Sequence, residues 1–417
     1  MKQTETTEIK EPPISLINSL ARSLVLSKLN RFKYGFIHLE DGKQSYNFGC
    51  ATDTLQCRIR VIDPTFYRFM AIGGSLGAAE AFMDGLWEVD NLTALCQIVV
   101  RNGEARDRME RGWGWIAKPA HQIFHKLHKN TTRNSKRNIA AHYDLGNDFF
   151  RLFLDKNLMY SSAIFPEKNS SLETASEHKL EQICQKLELK PSDHVIEIGT
   201  GWGGFAIYAA THYGCKITTT TISAEQFSLA NERIQRAGLS EQIKVKLTDY
   251  RNLTGQFDKL VSIEMIEAVG HQFYDTYFSK CSRLLKPDGL MLLQAITMSD
   301  WIFDAHKRTV DFIKRYIFPG SCIPSISAIC KSMSKETDLR IVDLLDIGPH
   351  YARTLRLWRE RFFASINVVR EQGFNEEFIR MWHFYLCYCE AGFSERYISD
   401  AQILFAKPKN RRQSEVK

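Results

Sequence analysis

VIEIGTGWGG, residues 195–204, decides the fold. Val195 and Ile196 run into Glu197 and Ile198, and Gly199, Gly201, Gly203 and Gly204 then open a helical stretch. Glycines at the carboxyl end of a strand let the backbone turn sharply and approach a ligand closely, as in doubly wound α/β folds. A dinucleotide site would add an acid about 20 residues further on for the ribose. The second strand instead ends in Thr218-Thr219-Thr220-Thr221, and Trp202 stands where a pyrophosphate needs room. These residue types favour a nucleoside ligand without pyrophosphate, of which S-adenosylmethionine is the common example; a dinucleotide and a purely structural turn are the alternatives.

Outward from the loop, strands and helices alternate. His194 to Ile198, Lys216 to Thr221, Lys244 to Leu247, Lys259 to Ile263 and Leu290 to Ala295 read as strands, while Ser171 to Leu187, Gly203 to Tyr213 and Ala224 to Ala237 carry helical spacing. Such alternation predicts a parallel sheet with helices on both faces. Upstream, Gly35 to Arg60 reads as strands around an Asp41-Gly42 hairpin signal, and residues 63–88 as short helical stretches broken at Gly73-Gly74 and Gly85. The expected fold is therefore α/β, a Rossmann-like domain at 141–417 preceded by a smaller mixed α+β domain at 1–111, with a linker at 112–140.

The whole chain fits this plan. Its 417 residues, 44% hydrophobic and 25% charged, suit two globular domains and exclude a disordered, collagenous or coiled-coil protein. The longest uncharged apolar stretch, Gly289 to Met298, is about half of what a bilayer span needs, and the polar N-terminus lacks the hydrophobic core of a secretory signal. The expected address is the cytoplasm. Ten cysteines include no C-x-x-C pair, so neither a zinc site nor a disulfide frame is indicated.

The net charge of +7 is unevenly spread. Residues 112–140 hold six Lys/Arg, three His and no acid, interleaved with Trp113, Trp115, Ile116, Ile123, Phe124 and Leu127. A solvated linker is one reading. The other is attraction to a polyanion, and the interleaved apolar residues fit the surface of an anionic bilayer.

Recognition extends the reading. VIEIGTGWGG, TISAEQ (221–226), TDYRNL (248–253), FDKLVSIEMIEAVG (257–270), YIFPG (316–320), YSSA (160–163), HYDLGNDFF (142–150) and SLGAAEAFMDGLWE (75–88) resemble the cyclopropane-fatty-acyl-phospholipid synthase family, over roughly residues 60 to 405. The resemblance implies a methyltransferase-type Rossmann domain that uses S-adenosylmethionine to add a methylene carbon across a cis double bond of a phospholipid acyl chain. It assigns the cofactor to Glu197, Gly199, Gly201 and Gly203, with Tyr160 and Ser161 closing over it, Thr221, Ile222 and Gln226 on the ribose and adenine side, and Tyr250 along the adenine. The family also holds a bicarbonate ion as base, on a Cys, a Glu, a His and a Tyr. Those positions here are Ser162, Glu267, Gln294 and Tyr351, so two of the four depart, and Ala268 replaces the His that usually follows the Glu.

An alkene is a weak nucleophile, so the reaction needs an electrophilic methyl held in line with the double bond in a dry pocket. The resulting carbocation is stabilised by an anion or a π face, for which Glu267 and Tyr351 are the candidates. A base then removes a proton, giving a cyclopropane or a methyl- or methylene-branched chain. With Ser162 and Gln294 in place, either bicarbonate stays on a weakened site or Glu267 is itself the base. The expected partners are unsaturated phospholipids of anionic membranes, with peripheral attachment to the inner face, and a homodimer is compatible with the chain. A nucleic-acid methyltransferase is the competing reading from another class; the segment after Asp249 lacks an Asn/Asp-Pro-Pro-aromatic element for an amino-nitrogen target, and no nucleic acid is expected.

Overall fold

The structure, a computed structural model, describes residues 16–103 and 145–411. They fall into two compact units, divided between Ala117 and Lys118. The basic 112–140 segment and the start of HYDLGNDFF lie outside the described residues.

In the first unit, α1 (Leu16–Leu29) is followed by β1 (Phe36–Asp41), β2 (Gln44–Gly49), β3 (Gln56–Val61), α2 (Thr65–Met83), β4 (Trp87–Val89) and α3 (Leu92–Arg101). The sheet order is β2-β1-β3-β4. β1 and β2 form the hairpin expected at Asp41-Gly42, and β1 pairs parallel with β3. Arg22 on α1 ties the hairpin down, donating to Asp41 (2.6 Å) and Gln44 (2.9 Å). α2 is kinked at Gly74 (φ 57°, ψ −133°), where the Gly-Gly pair announced a break.

The second unit contains α4 (Asn147–Arg151), α5 (Leu172–Lys186), β5 (His194–Ile198), α6 (Gly204–Tyr213), β6 (Lys216–Thr221), α7 (Ala224–Arg236), β7 (Ile243–Leu247), β8 (Phe257–Ile263), α8 (Tyr274–Leu284), β9 (Leu285–Met298), α9 (Asp300–His306), α10 (Ile326–Glu336), β10 (Arg340–Asp346), α11 (Gly348–Ala364), α12 (Ile366–Glu371), α13 (Glu376–Ser394) and β11 (Ile398–Ala406). Seven strands form one sheet in the order β10-β11-β9-β8-β5-β6-β7.

β7, β6, β5, β8 and β9 are parallel, and β11 runs antiparallel to both β9 and β10. The sheet is thus mixed, where alternation alone predicts a purely parallel one. The reason is that α13 returns the chain to the sheet as a long terminal strand, wedged between β9 and β10. This separates the fold from the all-parallel 3-2-1-4-5-6 dinucleotide sheet.

Strand parity distributes the core. Ile196, Ile198, Met291, Leu293 and Ala295 pack under α8 and α10, while Val195, Leu290, Leu292 and Leu404 pack under α5 and α6. Residues two apart share a face. Gln294, Gln402 and Asp400 therefore project on the α5 side, where the apolar alternation of β9 and β11 gives way to polar groups that are fully buried.

Candidate active site

The strand order reverses between β5 and β8, and the crevice beyond their carboxyl ends is where open α/β sheets take ligands. The glycine loop lies there. Gly199, Gly201 and Gly203 all have positive φ (103°, 51° and 84°), and Gly203 is the left-handed cap of α6. A Cβ on Gly201 would meet nothing within 4 Å, so the turn faces open space, the cradle a nucleoside needs. At Gly204 the reverse holds: a Cβ would come 2.7 Å from the carbonyl oxygen of Asn157 and 2.5 Å from Met159 Sδ, so the 155–159 segment rests directly on the helix. Arg233 holds that arrangement by donating to the carbonyls of Asn157 (3.1 Å) and Trp202 (2.6 Å).

Around the loop, the Glu197 carboxyl is buried in the sheet, accepts the Thr219 hydroxyl (2.6 Å) and is pushed up to about 8 by desolvation. Thr221 donates to Gln226 Oε1 (2.8 Å) at the start of α7, and half-buried Ile222 lies between them in sequence. Ser161 accepts the ammonium of fully buried Lys179 (2.7 Å). Tyr160 shares a hydrogen bond with Tyr385 (3.0 Å) and packs against Trp358. Tyr250 sits in a short 3₁₀ turn after β7, with its ring edge-on to core Tyr277 and its hydroxyl buried, so the hydroxyl is not presented to a ligand.

The second group of residues converges on a carboxylate that sequence reasoning missed. Glu264 follows β8 directly, in a left-handed conformation (φ 48°) rare for a residue with a side chain. Its Oε1 accepts the Ser162 backbone N–H (2.8 Å) and the Gln294 amide (2.8 Å), and its Oε2 accepts the Tyr351 hydroxyl (2.7 Å). Ser162, Gln294 and Tyr351, drawn from three distant parts of the chain, are thereby brought onto one carboxylate. Ser162 takes part through its backbone, since its hydroxyl donates to the Ala163 carbonyl (3.0 Å). Pairing of Ile263 with Gln294 sets the level of β9, and the Glu264 N–H donates to the Gln294 carbonyl (2.8 Å).

Glu267 stands one short turn further on. Its Oε1 accepts the Ile296 N–H, its Oε2 has no hydrogen-bond partner among the described residues, and burial, then the neighbouring Glu264, push its carboxyl up to about 8. At neutral pH such a group is mostly uncharged. Glu267, the residue expected to supply the negative charge, thus accepts one donor, where Glu264 accepts three.

The 160–165 segment is held outside any helix or strand by contacts to other elements. Ala163 donates to Thr354 Oγ1 (3.2 Å), Ile164 to the Ala175 carbonyl (3.2 Å) and Phe165 to His350 Nδ1 (3.2 Å). Behind it, Trp358 and Phe362 of α11 and Trp382 of α13 are almost wholly buried. Three residues absent from the sequence reading carried usable signals. Glu264 is an acid at the carboxyl end of a strand, Lys179 interrupts the apolar stripe Leu172, Ala175, Ile183 of α5, and Asp400 breaks an apolar strand.

A sheet of this order, with an open glycine loop after its first strand and a buried polar site at the end of its fourth, defines the S-adenosylmethionine-dependent methyltransferase fold. More particularly, the chain belongs to the mycolic acid cyclopropane synthetase family, which residues 130–403 match. It is 39% identical over 333 residues to the tuberculostearic acid methyltransferase UfaA1 of Mycobacterium tuberculosis, covering 78% of this chain and 77% of that one. It is 38% identical over 353 residues to the cyclopropane-fatty-acyl-phospholipid synthase of Escherichia coli K12, covering 84% and 87%. Among solved structures, mycolic acid cyclopropane synthase CmaA1 complexed with SAH and CTAB superposes with a TM-score of 0.61 at 31% identity, covering 65% of this chain and 98% of that one.

Proposed function

We propose that this enzyme alkylates the double bond of unsaturated acyl chains in membrane phospholipids, and that proton loss closes a cyclopropane. The observation that carries the reading is the Glu264 carboxylate, held by Ser162, Gln294 and Tyr351, the positions at which the resembling family holds its bicarbonate. A carboxylate built into the chain makes the ion dispensable. Glu264 stabilises the developing cation and then accepts the proton, and the C–H electron pair closes the ring.

Gly199, Gly201 and Gly203 would receive the cofactor backbone, Thr221, Ile222 and Gln226 its ribose side, and Tyr160, Ser161 and Glu197 its other end. Bound there, S-adenosylmethionine supplies an electrophilic methyl group. Tyr351 orients Glu264, and half-buried Tyr160 with buried Trp358 and Tyr385 keep water out and offer π faces to a cation. Glu267 stays close as a mostly neutral carboxyl.

The protein would work at the inner face of the membrane, attached peripherally: no helix among the described residues is long and apolar enough to span a bilayer. Support comes from the cationic, aromatic 112–140 segment and from the start of α1, where Leu16, Ile17 and Leu20 are exposed. A methyl- or methylene-branched product is the second reading, favoured by the similarity to UfaA1. Alkylation of unsaturated phospholipid vesicles with a trideuteromethyl donor in bicarbonate-depleted buffer tests the proposal. Expected is a saturated ring that retains two of the three deuteriums, formed without added bicarbonate. Three retained deuteriums would establish the methyl-branched product, and an absolute need for bicarbonate would remove Glu264 from the role of base.

A further inference from the structure

Glu264 does not stand alone. The Gln294 amide nitrogen that donates to its Oε1 also donates to Asp400 Oδ2 (3.1 Å), and Asp400 is fully buried on β11. The orientation of that amide is set from behind, where Gln402 Nε2 donates to Gln294 Oε1 (3.1 Å). One amide, fixed by a second, thus holds together two carboxyl groups, of which Asp400 is fully buried and Glu264 partly exposed. The two are unequally supplied. Glu264 receives the Ser162 N–H, the Gln294 amide and the Tyr351 hydroxyl, whereas Asp400 receives Gln294 alone and its Oδ1 has no partner among the described residues. Lys179, a buried cation whose charge acts on Asp400, spends a hydrogen bond on Ser161.

We infer that Asp400 is the positioning partner of Glu264: the two carboxyl groups share one proton, which resides on Asp400 and leaves the negative charge on Glu264. This rests on the reading of Glu264 as base. Two like charges that share one amide donor, one of them fully buried, are not both tolerated, and burial of Asp400 with the hydrogen bonds to Glu264 decides which group keeps the charge. Burial, then Glu264, push the Asp400 carboxyl well above the usual range, in the same direction. The protonated Asp400 hydroxyl completes the set of donors around Glu264 and fixes the oxygen that faces substrate. When Glu264 accepts the substrate proton, the pair passes from one proton to two and becomes neutral, and returning one to solvent resets it. The other groups facing the pair are Lys179 of α5, Glu267 after β8, Tyr351 of α11 and Tyr385 of α13, with Asp155 behind Lys179.

The test uses the full-length enzyme. Asp400→Asn keeps a neutral donor, so kcat at neutral pH should fall about tenfold with KM unchanged, and the alkaline limb of the kcat profile caused by loss of the Asp400 proton should vanish. Infrared difference spectra at neutral pH should show, beside the protonated-carboxyl bands of Glu197 and Glu267, a further such band in the wild type that Asp400→Asn lacks. If the substituted protein does not fold, carboxyl-¹³C aspartate in the wild type replaces it: a protonated stretch must shift with the label. An unchanged spectrum and an unchanged alkaline limb in folded Asp400→Asn, or no shift with the label, overturns the inference. Failure of the underlying reading looks different: Glu264→Gln would then retain normal turnover.

Discussion

Glu264 tests the chemistry and the backbone at once. Its φ of 48° costs a residue with a Cβ about 1–2 kcal/mol that glycine does not pay. Glu264→Gly should therefore leave the protein at least as stable in urea while abolishing turnover, and the vacated space, still lined by the donors of Ser162, Gln294 and Tyr351, should accept bicarbonate. Partial recovery of activity with added bicarbonate, absent in the wild type, is the expected result. Failure of any small anion to restore turnover would argue against an anion site there. Glu197 makes a separate prediction, on stability. Its folded value of about 8 lies above the ordinary carboxylate value of about 4.3, so between those pH values the folded state holds a proton that the unfolded state has released. Its contribution to stability therefore falls as pH rises through that window, by up to about 1.4 kcal/mol per pH unit. Glu197→Gln should flatten the loss of stability of the ligand-free protein between pH 5 and 8. Parallel stability curves for the two proteins would refute the burial argument.

At the scale of elements, the join of β5 to α6 serves two masters. The ligand side needs an empty Gly201, and the packing side needs an empty Gly204, because the carbonyl of Asn157 is anchored by Arg233 and cannot retreat as a side chain would. Gly204→Ala should cost about 1–3 kcal/mol of stability from overpacking. Gly201→Val should instead abolish S-adenosylmethionine binding. Calorimetry on the folded Val variant, beside urea melts of the Ala variant, separates the two effects; unchanged cofactor affinity in the first would displace the cofactor from the loop. Lys179 shows how an element reaches across the fold. It holds the same stripe of α5 as Leu180's buried neighbours Ala175 and Ile183, yet its ammonium is spent on Ser161 in the segment that carries Ser162 to Glu264.

For the whole molecule, the decisive question is how the proposed active site reaches an acyl chain. Cations and aromatic residues share the 112–140 segment, so binding to vesicles should require anionic lipid and weaken as salt screens it, with the Debye length falling from about 10 Å at 0.1 M to about 3 Å at 1 M. Sedimentation with phosphatidylglycerol and phosphatidylcholine vesicles at both ionic strengths checks this. Equal binding to neutral and anionic vesicles at low salt would leave only the apolar contribution.

Much of this was legible in the chain itself, because local rules wrote it. The glycine loop, the helices and the parallel strands follow from periodicity and turn chemistry within about ten residues. The strand Lys216–Thr221, for example, has the bounds read from its residues. Ser162, Gln294 and Tyr351 were nameable only through family resemblance, and nothing local could say what they hold. β11 decided that. By entering antiparallel between β9 and β10 it set Asp400 and Gln402 beside Gln294, and the left-handed turn after β8 aimed Glu264 at the same point. Residues more than 100 positions apart meet there through register and strand order, which are products of the packed sheet; a sequence window specifies periodicity, and a shared proton requires proximity.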